Sequence, residues 1–134
     1  MTSTCLCLLT RDGGRQVLLG HKKTGLGTGK IVGLGGHVED CESPAEAAAR
    51  EVKEEAGIHV TPAALLEVAH VTFLFPVCPR WDMIAFVFTS AEWLAPAPYP
   101  ALLKPRGWRP AILSRTAGGC CVRRGQERVC KDLL

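Results

Sequence analysis

No run of about 18 apolar residues occurs in the 134-residue chain, so a transmembrane helix is not expected. The N-terminus, MTSTCLCLLTRDGG, lacks a basic region followed by a long apolar core, which argues against a secretory signal. Aromatic residues make up only 6% of the chain, with a single tyrosine. The seven cysteines include no Cys-x-x-Cys pair and are odd in number. A complete disulfide framework or a cysteine zinc site is therefore not expected, and a reducing, cytoplasmic location is. Asp and Glu are absent from Trp93 to Gln126.

What is present fits one globular domain, with 47% hydrophobic and 22% charged residues. The net charge of +3 conceals a split. Residues 1–103 carry eight Lys/Arg against eleven Asp/Glu, and residues 104–134 carry eight against two. A nucleic-acid-binding body would carry its basic patch on the fold, so no stable nucleic-acid complex and no membrane partner are expected. A basic tail alone makes weak, salt-sensitive contacts.

Residues 4–10 and 16–20 are short apolar runs around Arg11-Asp12-Gly13-Gly14, which predicts a hairpin. Six glycines between 24 and 36 predict a loop, with a short strand around Ile31–Leu34. Val71–Phe75 and Met83–Thr89 read as strands separated by a turn at Pro76–Asp82, and Ala95–Pro100 as an irregular loop. Residues 105–134 show neither alternation nor a helical period.

The clearest element is a helix over 44–56. Ser43 suits the N-cap, Pro44 the first helical position, Glu46 a capping box, and Gly57 a left-handed C-cap. At about 100° per residue, Ala45, Ala49, Val52 and Ala56 share the expected core face. Glu51, Glu54 and Glu55 share another, which Ala47 and Ala48 should leave sterically open. A solvated acidic face is the plain interpretation of such a cluster. The sharper one is a site for a hard divalent cation, which prefers oxygen ligands.

The surrounding residues decide between them. Gly36 to Ile58 satisfies the pattern G-x5-E-x7-R-E-U-x-E-E-x-G-U, U being aliphatic, at all nine specified positions. The chain thereby resembles the Nudix hydrolase family. Val17-Leu-Leu-Gly-His-Lys-Lys23, Gly33-Leu-Gly-Gly36, Phe73, Phe75 and Trp81-Asp82 are similar to the MutT-type subgroup acting on oxidised purine nucleoside triphosphates. The likeness covers roughly residues 4–93.

The resemblance implies an α/β fold, a mixed β-sheet sandwiched between helices, with the box forming a loop–helix–loop at 36–58. It assigns residues 1–104 to the Nudix domain and 105–134 to a basic, atypical segment. It implies hydrolysis of a nucleotide substrate to nucleoside monophosphate and pyrophosphate with Mg²⁺ or Mn²⁺. Glu51, Glu54 and Glu55 match the metal-binding carboxylates, and Gly35 the residue whose carbonyl completes the site. Glu51 and Glu54 are candidates for the chemistry, with Arg50 holding a box glutamate in place; Glu42 matches a structural position. Substrate contacts fall to Lys22 and Lys23 at the phosphates, Gly35 and Gly36 in the loop, and Phe73 and Trp81 at the base. Against these stand solvated strand-end lysines and a plain core phenylalanine.

Two departures from the family bear on substrate. Val32 stands where related enzymes often carry an asparagine that reads the purine edge, and an apolar side chain cannot make those bonds. A carboxylate and base-contacting residues expected nearer the C-terminus have no counterpart, and Ala111–Leu134 does not resemble the family's closing helix. The segment therefore reads as a replacement of the ancestral C-terminal part. Cleavage of dinucleoside polyphosphates or nucleotide sugars, and a catalytically impaired binding module, stay open as alternatives. The oligomeric state is open as well.

Overall fold

Strands β1 (Thr2–Arg11) and β2 (Gln16–Lys22) form the expected hairpin. Asp12, Gly13 and Gly14 turn the chain through positive φ, which glycine adopts without steric cost. The computed structural model describes residues 1–22, 29–93, 108–116, 119–124 and 127–130. The expected loop at Ala95–Pro100 lies outside the described residues.

The sheet is mixed. Its order is β4 (Leu66–Phe73), β5 (Met83–Ser90), β1, β2, β6 (Trp108–Thr116), β7 (Gly119–Arg124), β8 (Glu127–Cys130). The two-residue strand β3 (Ile31–Val32) pairs with β2 off this path. Among the described residues only β1 and β5 run parallel, in register from Thr2↔Met83 to Leu9↔Ser90.

Alternation along β1 sends Cys5, Cys7 and Leu9 to one face. There they meet Leu18, Leu34, Phe88, Ile58 and the helix α1 (Pro44–Ala56) through Ala47, Ala48 and Val52. Each fully buried large aliphatic chain, such as Leu9 or Val52, contributes about 1.5–3 kcal/mol by leaving water. The indole Nε1 of Trp93 donates to the Thr10 carbonyl at 2.8 Å and ties the end of the matched body to β1. Among the described residues α1 is the one α-helix, and none is long and apolar enough to cross a membrane.

Three expectations are corrected. The strand expected at Val71–Phe75 starts at Leu66 and stops at Phe73, because β5 offers backbone partners as far as Thr89. A bulge at Val68 lies between Glu67 and Ala69. Residues 105–134, read as lacking a regular pattern, supply β6, β7 and β8. Their ladder starts on β2, from Gln16↔Ser114 to Lys22↔Trp108, and backbone pairing of this kind needs no side-chain alternation. Ala47 and Ala48 are fully buried instead of leaving the carboxylate side open.

Candidate active site

The site is built where a glycine-rich strap crosses β1 and meets α1. Residues 34–38 lie along β1 by backbone bonds: Cys7 N to Leu34 O at 2.7 Å, Cys5 N to Gly36 O at 2.8 Å, and Val38 N to Ser3 O at 3.0 Å. Gly35 sits at φ +155°, and a Cβ there would stand 2.1 Å from the Cys5 carbonyl oxygen, so only glycine fits. Gly36 faces the helix. A Cβ there would stand 2.3 Å from Oε1 of Glu51, so this carboxylate rests against bare backbone.

Helix α1 starts and stops as its sequence dictates. Ser43 and Glu46 close a capping box, and Gly57 at φ 66° returns its amide to the Lys53 carbonyl. The buried arc runs from Ala47 through Ala48 to Val52, about 140° of the circumference at 100° per residue. Glu51 and Glu55 fall inside that arc and are partly buried; Glu54 lies at its edge, 59% exposed. Burying a carboxylate costs free energy unless it is bonded. Glu55 accepts from the Gly35 amide at 2.9 Å, and Glu51 accepts from Arg50 Nη1 at 3.0 Å.

Arg50 is the hub. Its Nε and Nη2 form a fork onto Glu42 at 3.1 and 2.7 Å. Nη2 also donates to the His37 carbonyl at 3.0 Å, and Nη1 reaches Glu54 at 3.4 Å. Hydrogen bonding to Glu42 pushes the guanidinium pKa up, Glu51 adding to it against the cost of burial. The same bond, with the Glu39 amide, holds the Glu42 carboxyl below its usual range. The contact of the His37 carbonyl with Arg50 had no sequence signal, since any residue supplies a carbonyl.

The other expected residues are more scattered. Lys22 is the last residue of β2, and Lys23 lies outside the described residues. Phe73 ends β4 in register with Met83 and is 46% exposed. Trp81, in the turn before β5, is 58% exposed and meets Phe75 edge to face at 6.1 Å. Neither ring joins the buried core. A separate cleft of about 410 Å³, between Val60–Thr61 and Glu92–Trp93, contains none of the box carboxylates.

A glycine strap on a mixed sheet, followed by a helix carrying glutamates at i, i+3 and i+4, defines the class of Nudix-fold proteins. The sequence matches the NUDIX domain over residues 2–101, and the chain belongs to this family. Over 66 residues it is 42% identical to the oxidized purine nucleoside triphosphate hydrolase of Mus musculus, a match spanning 49% of this chain and 41% of that protein. The chain thus aligns with less than half the length of that relative. The crystal structure of a MutT NUDIX hydrolase from Burkholderia pseudomallei has the same fold: TM-score 0.64 at 22% identity, over 80% of this chain and 77% of that one. A bifunctional NMN adenylyltransferase/ADP ribose pyrophosphatase from Francisella tularensis, complexed with AMP and a Mn ion, gives 0.53 at 25% identity, over 66% of this chain and 26% of that one.

Members of the family generally use divalent metal ions. The donor types here fit such an ion: three carboxylates on one helix and backbone oxygen nearby are hard ligands. Among the described residues no three acidic, histidine or cysteine side chains are already gathered as a metal cage. Glu51 and Glu54 are instead engaged by Arg50, and Glu55 accepts from Gly35.

Proposed function

We propose that the chain hydrolyses nucleoside triphosphates to nucleoside monophosphate and pyrophosphate, with Mg²⁺ or Mn²⁺ as cofactor and oxidised purine nucleotides as preferred substrates. The observation that carries this reading is the position of Glu51 and Glu55 within the buried arc of α1, against Gly36 and Gly35. A merely solvated acidic face would turn its carboxylates to water. The family and the name of the mouse relative support the substrate class.

In this reading Glu51, Glu54 and Glu55, with the carbonyl of Gly35, would hold the metal. When bound, a divalent ion neutralises phosphate charge and lowers the pKa of attacking water. Glu51 or Glu54 would accept the proton of the attacking water. Arg50 is a positioning residue that fixes Glu51 and ties it to Glu42 and the strap through His37. Gly35 and Gly36 bring backbone close to the phosphates, with Lys22 and Lys23 as their counter-charges. Phe73 and Trp81 offer exposed ring surface for the base, whose stacking is worth about 1–3 kcal/mol in comparable contacts.

The test is pyrophosphate release from 8-oxo-dGTP with Mg²⁺. Glu54→Gln should lower kcat by roughly 10²-fold or more, the scale of general-base loss. No turnover by the wild type, or none lost in Glu54→Gln, overturns the proposal. A second reading, cleavage of nucleotide sugars or dinucleoside polyphosphates, is favoured by Val32, an apolar residue on β3. ADP-ribose and a diadenosine polyphosphate belong in the same panel, and the ranking by kcat/KM decides.

A further inference from the structure

Among the described residues β4 is paired on one side only, with β5, and every one of its residues is exposed. Natural edges are commonly blunted by lysine, proline or a very short strand. This edge has none of these, and Glu67 and His70 are its only titratable side chains. Its bulge decides which edge-to-edge registers are open to it. In a regular strand, residues three apart point to opposite faces. Here the extra residue Val68 puts Glu67 and His70 on one face, opposite Phe88 and Phe86. Leu66 and Val71 fall on the other, opposite Thr89 and Ala85. Directly opposed residues of an antiparallel pair share a face. A two-fold pairing of β4 with β4 of a second copy, its axis between Val68 and Ala69, meets that condition. Glu67 then lies opposite His70 of the other copy, and Leu66 opposite its Val71. His70 Nε2 is already on Glu67 Oε1 of its own chain, and its ring meets Phe86 edge to face at 4.8 Å. Around the axis two carboxylates and two imidazoles would alternate, each Glu67 with one histidine along its strand and one across.

We propose that the β4 edge is a docking surface for a second copy of this chain, giving a closed two-fold dimer in that register. The interface is isologous, so each contact occurs twice and no free β4 edge is left to extend the assembly. Main-chain bonds supply the adhesion, as in other strand additions. Leu66 against Val71 removes from water apolar surface that a single copy exposes. The charged pairs choose the register. A slip by two residues sets Glu67 opposite Thr72 or the bulged Val68, and a slip by one sets opposite faces together. The bulge falls on the axis, so it interrupts the new ladder only at its centre.

The test uses the full chain and reads association, not hydrolysis. Leu66→Cys and Val71→Cys are made separately and oxidised alone and as an equal mixture, with wild type as the control for the native cysteines. In the proposed register position 66 faces position 71, and each lies roughly 15 Å from its own counterpart, too far for a disulfide. The mixture should therefore give a disulfide-linked dimer in at least about fivefold greater yield than either variant alone. A mixture that links no better than the single variants overturns the register.

Sedimentation equilibrium tests the charges without a crosslink. Glu67→Lys alone and His70→Glu alone should each weaken dimerisation by roughly two- to thirtyfold, since two opposed pairs are lost at once. An equal mixture should bring association back to within about threefold of wild type. There the new lysine of one chain meets the new glutamate of the other, and one Glu67–His70 pair across the axis stays intact. A loss that mixing leaves in place overturns the charge pairing. Where a charge variant fails to fold, the cysteine mixture still decides. A wild type that stays monomeric to roughly 100 µM, or that grows past the dimer into open assemblies, overturns the closed dimer.

Discussion

Gly35 and Gly36 are neighbours with different obligations. At Gly35 the atom a Cβ would strike is the Cys5 carbonyl oxygen, part of β1, and the φ of +155° is one that L side chains rarely adopt. Neither can give way, so Gly35→Ala is expected to destabilise the fold by about 2–4 kcal/mol, measured by urea melts. At Gly36 the obstacle is the carboxylate of Glu51, the end of a flexible chain. Gly36→Ala should therefore change stability by less than about 1 kcal/mol while moving that carboxylate, which should lower kcat by roughly 10²-fold. Full kcat in Gly36→Ala would mean that the seat of Glu51 has no part in the chemistry. Cys5 and Cys7, on the adjacent strand, are buried thiols, and burial pushes Cys7 up to about 12, so neither competes as a nucleophile near neutral pH.

At the scale of one element, α1 owes its ends to local chemistry and its faces to the rest of the fold. Glu46 bonds the Ser43 amide, and the Ser43 side chain and backbone hold the Glu46 carboxyl below its ordinary value of 4.5. Glu42 is held low as well, by Arg50. Folded pKa values below the unfolded ones mean that the unfolded chain binds more protons. Stability from these groups is then complete above about 4.5 and lost as pH falls through the depressed values. Glu46→Gln should melt earlier than wild type in urea at pH 7, with the gap closing as the pH is lowered toward 3. A gap of equal size at both pH values would remove the charge from the account. The caps at Ser43, Glu46 and Gly57 were legible because each acts within four residues. The burial of Ala47 and Ala48 was not, since it is set by a strap and a strand nine or more positions away. The glutamates were legible by spacing as a cluster, and as a Nudix box by pattern. Their present partners, Arg50 Nη1 and the Gly35 amide, follow only from the folded geometry.

Across the whole molecule the sheet has two unequal faces. Register places Glu67, His70 and Thr72 of β4 on the side of Phe88, Phe86 and Ile84, the face that α1 covers. Leu66, Ala69, Val71 and Phe73 fall on the other side with Thr89, Val87, Ala85 and Met83. Leu66 is 66% exposed and Val71 39%, and among the described residues β4 is an edge strand. An exposed edge with an apolar face is a template for pairing with another chain. The wild type is therefore expected to self-associate with rising concentration, measured by light scattering on a sizing column, and to bind a hydrophobic dye. Leu66→Lys combined with Val71→Lys places charge on this edge without touching α1 or Phe73, and should reduce both signals. Charged lysines on an edge oppose pairing by repulsion between copies, so the reduction should weaken at high salt. A wild type that stays monomeric and dye-free at tens of micromolar, a range in which such edges commonly associate, would show that this face is covered in solution.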